Sequence, residues 1–154
     1  CKYLNLPIKI KTTKNYDLIE VKKVKKIKTL NYKIPSDISS SSFFIVLTAL
    51  SKNSKILIKN VNINPTRLGI VTILKKMGVK IIFRNQKNYK GEKIADLLIE
   101  SKKNLKAIKC PANLNSSAID EFLLIFLLAA KAKGVSYFRN LSDISLWYFC
   151  ALLI

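Results

Sequence analysis

With 154 residues, 49% of them apolar, the chain is long enough to bury a core and too hydrophobic for an unstructured polyelectrolyte. Its net charge of +19 raises nucleic acid or an anionic membrane surface as partners, yet among 28 basic residues only Arg67, Arg84 and Arg139 are arginines. Lysine is a solvated point charge where arginine reads phosphates and bases in bidentate fashion, and AT-rich coding sequence also produces a Lys, Asn and Ile surplus, so a solvated surface is favoured over a nucleic-acid face.

The opening Cys1-Lys2-Tyr3-Leu4 has neither an initiator Met nor an apolar h-region; no signal peptide is expected, and the chain reads as a fragment. Strands are predicted at residues 8–11, 17–24 and 32–34, short Ile/Val/Leu-rich runs bounded by turn residues. The basic run from Lys22 to Lys28 reads as a solvated edge that deters strand pairing. The polar cluster Pro35-Ser36-Asp37-Ile38-Ser39-Ser40-Ser41-Ser42 then opens a helix over 40–51, in which Phe43-Phe44-Ile45-Val46-Leu47 is apolar all round. A strand at 55–61 leads into Val61-Asn62-Ile63-Asn64-Pro65, the expected crossover between two units. A helix at 66–77 carries Ile70, Ile73, Leu74 and Met77 on one face and Lys75 and Lys76 outward; Thr66 is expected to cap it and Gly78 to end it. Strands follow at 79–84, 95–101 and 107–110. Ser117-Ala118-Ile119-Asp120-Glu121-Phe122 opens a second all-apolar helix over 119–132, with a last strand at 135–139.

A helix without a polar face is expected to be buried on every side, so the architecture should place helices inside and sheets outside. The longest apolar runs, 122–130 and 146–154, are each about half the ~20 residues needed to span a bilayer, and no transmembrane helix is expected.

The chain also repeats itself. Leu4 to Ile10 resembles Lys76 to Ile82; Asp17-Leu18-Ile19-Glu20 matches Asp96-Leu97-Leu98-Ile99-Glu100. Leu30 to Pro35 corresponds to Leu105 to Pro111, and Phe43 to Val61 echoes Phe122 to Leu141, with Lys59-Asn60 answering Arg139-Asn140. Four matches in one order, at offsets of about 71 to 80, indicate a duplicated α/β unit.

Cys1, Cys110 and Cys150 are odd in number and widely spaced, which reads as free thiols in a reducing cytoplasm, with no metal site. No histidine is present, so acid–base chemistry falls to Asp, Glu or Lys. Two clusters concentrate that chemistry. Ser39 and Ser40 lie at the positive amino end of a helix, where a hydroxyl serves equally as a phosphate ligand or an N-cap. Asp120 and Glu121 begin a buried helix, where the residues by themselves favour an ordinary carboxylate cap over a catalytic role.

The motifs Ile34-Pro35-Ser36-Asp37-Ile38-Ser39-Ser40 with Phe43-Phe44, Asn64-Pro65-Thr66-Arg67, Lys75-Lys76-Met77-Gly78, Gly91-Glu92 with Ala95-Asp96-Leu97, and Ile119-Asp120-Glu121-Phe122 closely resemble the 5-enolpyruvylshikimate-3-phosphate synthase family. The similarity runs over residues 1 to 143 in order and spacing. It implies α/β (α+β) lobes of repeated βαβαββ-type units with buried helices and outer sheets, an inside-out barrel that is incomplete here. Residues 1–62 then look like the last unit of one lobe, 63–143 like the first part of the second, and 144–154 like an aberrant apolar tail. The implied reaction transfers the enolpyruvyl group of phosphoenolpyruvate to the 5-hydroxyl of shikimate 3-phosphate, without metal or organic cofactor, in a cytoplasmic family whose full-length members are expected to be monomers and whose partners include neither nucleic acid nor membrane.

Residue by residue, the resemblance implies that Asp120 holds the shikimate hydroxyls and accepts the proton. It implies that Ser39 and Ser40 bind substrate, Ser40 being the preferred phosphate ligand; Phe43 falls where some relatives carry a ring-bearing substrate contact but is read here as core, and Asn64 to Arg67 is read as structural. After Ser142-Asp143 the family continues into a charged Arg-x-Lys-Glu-Ser-Asp-Arg segment, where this chain reads Ile144-Ser145-Leu146-Trp147-Tyr148-Phe149. The family's amino-terminal Lys-Ser-x-x-x-Arg and central Ser-x-Gln motifs are also missing, so the chain is expected to be inactive alone. The related transferase of cell-wall precursor synthesis requires a reactive cysteine on a glycine-rich loop, a context none of the three cysteines has. A basic nucleic-acid-binding module and a non-catalytic remnant are the alternatives.

Overall fold

The computed structural model describes residues 4, 6–24, 26–27, 29–101 and 104–141. The expected tail, Cys1, Cys150, Lys25 and Lys28 lie outside the described residues. The chain divides into two compact units, Cys1–Ile34 and Pro35–Ile154.

The first unit is a hairpin. β1 (Ile8–Thr12) pairs antiparallel with β2 (Asp17–Val21), Ile10 opposite Ile19. Thr13 Oγ1 closes the turn by donating to the Tyr16 carbonyl at 2.6 Å. β2 stops at Val21 rather than residue 24 because its partner strand begins after Pro7. Lys22 N–H reaches the Pro7 carbonyl at 3.2 Å, and proline has no N–H with which to continue the ladder.

In the second unit, β3 (Lys55–Asn62), β4 (Lys80–Tyr89) and β5 (Glu92–Glu100) form an antiparallel sheet in the order β3-β5-β4. α1 (Ile38–Leu50) and α2 (Gly69–Lys76) pack on it, and α3 (Phe122–Lys131) packs against those two helices. Strand alternation sorts the side chains. The cross-strand rows Ile56–Ile99–Ile81 and Ile58–Leu97–Phe83 belong to the core, and the row Lys55–Glu100–Lys80 carries charge. There Glu100 takes Lys55 at 3.1 Å and Lys80 at 2.6 Å. α2 behaves as its periodicity dictates: Ile70, Ile73 and Leu74 are fully buried, each a gain of ~1.5–3 kcal/mol on transfer from water, and Gly78 ends the helix at φ 94°. The expected joint between residues 62 and 63 lies inside this packing, since β3 pairs with β5.

Both outer strands are irregular, with register shifts between Ile58 and Val61 in β3 and between Arg84 and Lys87 in β4. Asn60 and Asn85, at φ 51° and 50°, take the left-handed turn that each bulge needs, a conformation Asn tolerates. Asp96 on the central strand serves both: it accepts from Asn60 N–H at 2.8 Å and from Asn85 Nδ2 at 2.7 Å.

The duplicated order is visible in the pairing. A hairpin, a bridged run, a helix and a returning run occur twice, with parallel bridges Ser36–Val61 in the first and Lys106–Lys133 and Lys109–Tyr137 in the second. Asn60 and Asn140, matched in the repeat, both have positive φ, 51° and 56°. The runs expected as strands at 107–110 and 135–139 form only these isolated bridges. The pairing expected of 32–34 falls two residues later, at Ser36.

α1 and α3 correct the expectation of burial on every side. α1 turns Ser41, Ser42, Thr48 and Ala49 inward with Ile38, Ile45 and Val46, and leaves Phe43 and Leu47 64% and 62% exposed. Phe43 is therefore surface here, not core. Small inward residues let α1 approach the sheet and α3 closely. Their hydroxyls are satisfied by the carbonyls four residues back: Ser41 by Asp37 at 2.6 Å, Ser42 by Ile38 at 2.7 Å, Thr48 by Phe44 at 2.7 Å. α3 buries Phe122, Ile125 and Leu128 and exposes Leu123 and Leu127. Among the described residues nothing covers these second faces. No helix among the described residues is long and apolar enough to cross a membrane.

Candidate active site

The amino end of α1 is capped by Asp37, not by a serine. Asp37 is extended (φ −75°, ψ 138°), and its carboxylate accepts from Ser40 N–H at 2.8 Å. That bond, with help from the Ser40 hydroxyl, holds the Asp37 carboxyl below its ordinary value despite partial burial. Ser40 is thus exposed and committed to Asp37. Ser39, one residue earlier on the helix, faces elsewhere: its hydroxyl donates to Glu121 Oε1 and accepts from Arg67 Nη2 at 3.1 Å.

Arg67 comes from the 3-10 turn Pro65–Arg67, which Asn64 caps. The Asn64 side chain accepts from Thr66 N–H at 3.2 Å and from its hydroxyl at 3.1 Å, so Asn64 rather than Thr66 performs the capping expected at this turn. α2 starts only at Gly69, behind Leu68, without a side-chain cap. Gly69 is where the next segment docks. A Cβ built there would stand 2.6 Å from the Ser117 carbonyl carbon and 2.7 Å from the Ala118 nitrogen. Only glycine permits that approach, and it brings the 3-10 turn Ser116–Glu121 beside Arg67.

At the end of that turn, Asp120 Oδ2 pairs with Arg67 Nη2 at 2.8 Å. The two side chains are 53% and 47% exposed, so the pair contributes at most ~1 kcal/mol to stability; its effect is orientation. Neither carboxylate caps α3. Glu121 occupies the cap position without a side-chain cap bond, and the 3-10 turn leads directly into the helix. Glu121 is buried, and burial pushes its carboxyl up; the Ser39 hydrogen bond opposes this and the neighbouring Asp120 charge adds to it.

Three elements distant in sequence therefore meet through side chains: Ser39, Arg67, and Asp120 with Glu121. Asp120 and Ser39 were expected at the site and are joined by Arg67; Ser40 sits beside them on Asp37. Arg67 and Asp37 were not expected to take part, and Glu121 was expected only as Asp120's neighbour at the helix start. Arg67 carried a usable signal, being one of three arginines in a lysine-dominated chain.

A separate cavity of about 490 Å³ is lined by Lys109, Cys110, Tyr137 and Arg139 and by none of this cluster. Burial pushes the Cys110 thiol up, and Lys76 opposes only in part, so Cys110 is not an activated thiolate. Among the described residues no group of three or more potential ligands is placed to hold a metal ion.

The family model described as EPSP synthase (3-phosphoshikimate 1-carboxyvinyltransferase) matches residues 2–148. Similar proteins include a 3-phosphoshikimate 1-carboxyvinyltransferase of Hydrogenovibrio crunogenus, 46% identical over 109 residues, which are 71% of this chain and 24% of that protein. One from Legionella pneumophila (strain Paris) is 46% identical over 113 residues, 73% of this chain and 26% of that one. Among solved structures, an EPSP synthase from Acinetobacter baumannii superposes with a TM-score of 0.78 at 36% identity, over 90% of this chain and 31% of its own. The chain spans about a quarter of the length of the curated relatives it matches.

Proposed function

Because the chain belongs to the EPSP synthase family, we propose that it supplies part of the active site for transferring the enolpyruvyl group of phosphoenolpyruvate to the 5-hydroxyl of shikimate 3-phosphate, with release of phosphate. The supporting observation is the exposed Asp120 carboxylate, held by Arg67 beside the amino end of α1. In this reading Asp120 accepts the proton of the attacking hydroxyl. The oxygen adds to the central carbon of the enolpyruvate as its methylene carbon is protonated, and the tetrahedral adduct then expels phosphate and returns the proton. Ser39, Ser40 and the N–H groups at the start of α1 are the substrate-binding groups, at a helix end whose partial positive charge suits a phosphorylated acid. Arg67 orients Asp120 toward the hydroxyl. The reaction calls for no cofactor. The partners are the two phosphorylated substrates, and a cytoplasmic location goes with a biosynthetic enzyme bearing a free thiol.

The family's charged segment beyond residue 143 has no counterpart in this sequence, so other parts of a complete enzyme must protonate the methylene carbon and bind phosphoenolpyruvate. The test is a chimera in which residues 35–141 replace the matching segment of the Acinetobacter baumannii enzyme, assayed by phosphate release. The chimera is expected to turn over, and Asp120→Ala to lower kcat by ~10²–10⁴-fold, as for loss of a general base. A folded chimera whose Asp120→Ala variant keeps its kcat would overturn the assignment.

A further inference from the structure

We propose that Glu121 is a positioning residue for Asp120, acting through Ser39 and Arg67 to hold the Asp120 carboxylate in one orientation. This rests on the functional reading above and assigns a role to the buried acid that reading leaves idle.

The hydrogen-bond inventory makes the chain directional. A serine hydroxyl has one proton. Ser39 spends it on Glu121 Oε1, so the lone pairs of its oxygen are left to accept, and one receives Arg67 Nη2 at 3.1 Å. The same Nη2 gives its other hydrogen to Asp120 Oδ2 at 2.8 Å. Both hydrogens of Nη2 are thereby assigned, and the guanidinium plane is fixed. Remove the Glu121 acceptor and the Ser39 proton is free to rotate, including toward Arg67, where it would repel the guanidinium instead of accepting from it. Arg67 would then lose its bond to Ser39, and the guanidinium would be tethered by its exposed bond to Asp120 with its plane no longer fixed.

Burial supports this role. Glu121 is 3% exposed, whereas the pair it governs is about half exposed, so the rigid end of the chain lies in the core and the reacting end at the surface. The charged groups facing Glu121 are Asp120 on its own turn, Arg67 on the neighbouring 3-10 turn and Asp37 at the start of α1. Arg67 is the only cation among them, which makes it the hub through which the three carboxylates compete.

The experiment follows the Arg67 guanidinium by nitrogen-15 NMR in the full 154-residue chain, reading proton exchange at Nη and Nε, with the backbone spectrum reporting the fold. Glu121→Gln, whose amide oxygen still accepts from Ser39, is expected to keep the wild-type protection. Glu121→Ala and Ser39→Ala are each expected to lose it by about tenfold, the scale of one hydrogen bond to a charged group. Wild-type protection in either alanine variant would overturn the proposal, as would loss of protection in a folded Glu121→Gln. Should Glu121→Ala not fold, Ser39→Ala carries the same prediction from the exposed side of the chain. The readout requires no turnover, so a failed chimera and a failed relay are separate results.

Discussion

Replacing Gly69 with alanine tests how Asp120 is brought to Arg67. Two effects oppose each other. Alanine in place of glycine in a helix is worth up to ~1 kcal/mol, and less in the first turn where Gly69 lies. Against it, the new methyl would stand 2.5 Å from Ser117 Oγ, 2.6 Å from the Ser117 carbonyl carbon and 2.7 Å from the Ala118 nitrogen. These lie roughly 1 Å inside the 3.5–4.0 Å optimum for carbon contacts. The serine hydroxyl can rotate away, but two of the three obstacles are backbone, so the whole 3-10 turn must shift. Overpacking of this kind costs ~1–3 kcal/mol. The net expectation is a loss of about 1–2 kcal/mol in urea unfolding followed by circular dichroism, with the Asp120–Arg67 pair opened. A Gly69→Ala protein as stable as the wild type would refute the close approach on which the site's assembly depends.

Three further outcomes follow. Asp37→Ala removes the cap of α1 and is expected to lower unfolding free energy by ~1 kcal/mol near neutral pH, measured in urea. Because the Asp37 carboxyl is held below its ordinary 3.8, this contribution is present above that value and fades as pH falls through the depressed one; a difference that grows in acid would contradict it. Glu121 has the opposite sign. Its raised carboxyl binds the proton more tightly in the folded chain, so its contribution is complete below the ordinary 4.5 and lost as pH rises through the folded value. Glu121→Gln should therefore raise Tm near pH 7 and have little effect near pH 4. Equal shifts at both would count against buried ionisation. Finally, Phe43→Ser combined with Leu47→Ser on the open face of α1 should reduce self-association in sedimentation velocity while changing stability by no more than ~0.5 kcal/mol; a large loss of stability would show that face to be packed.

How far the sequence could be read depended on whether a residue's role is set locally. α2 was legible because an apolar stripe and a terminal glycine are both local signals, and the hairpin strands because alternation is. The repeat was legible too, down to the paired Asn60 and Asn140 that share a left-handed backbone. The facing of α1 was not. When Phe, Ile, Val and Leu surround a helix, periodicity names no inner side, and here the serines, threonine and alanine turned inward because they are small and can return their hydroxyls to the helix backbone. The polar cluster before α1 located the helix start, but Asp and Ser cap with similar strength, and Asp37 took the place. At the site, Asp120 and Ser39 could be singled out by type and place. Arg67 could not be joined to them, because its partners lie 28 and 53 residues away and the turn that carries it looked sufficient in itself.

The Asp96 carboxylate ties both flanking strands to the middle one at their bulges. The Asn60 amide and the Asn85 side chain hold that acid below its ordinary range, so protonating it in strong acid weakens its hold on both bulges with a single proton. Amide exchange in β3 and β4 should then quicken in step along an acid series, although no hydrogen bond joins those strands directly. One side chain thus couples two separate irregularities to a single titration, while the backbone ladders beyond each bulge keep the three strands joined.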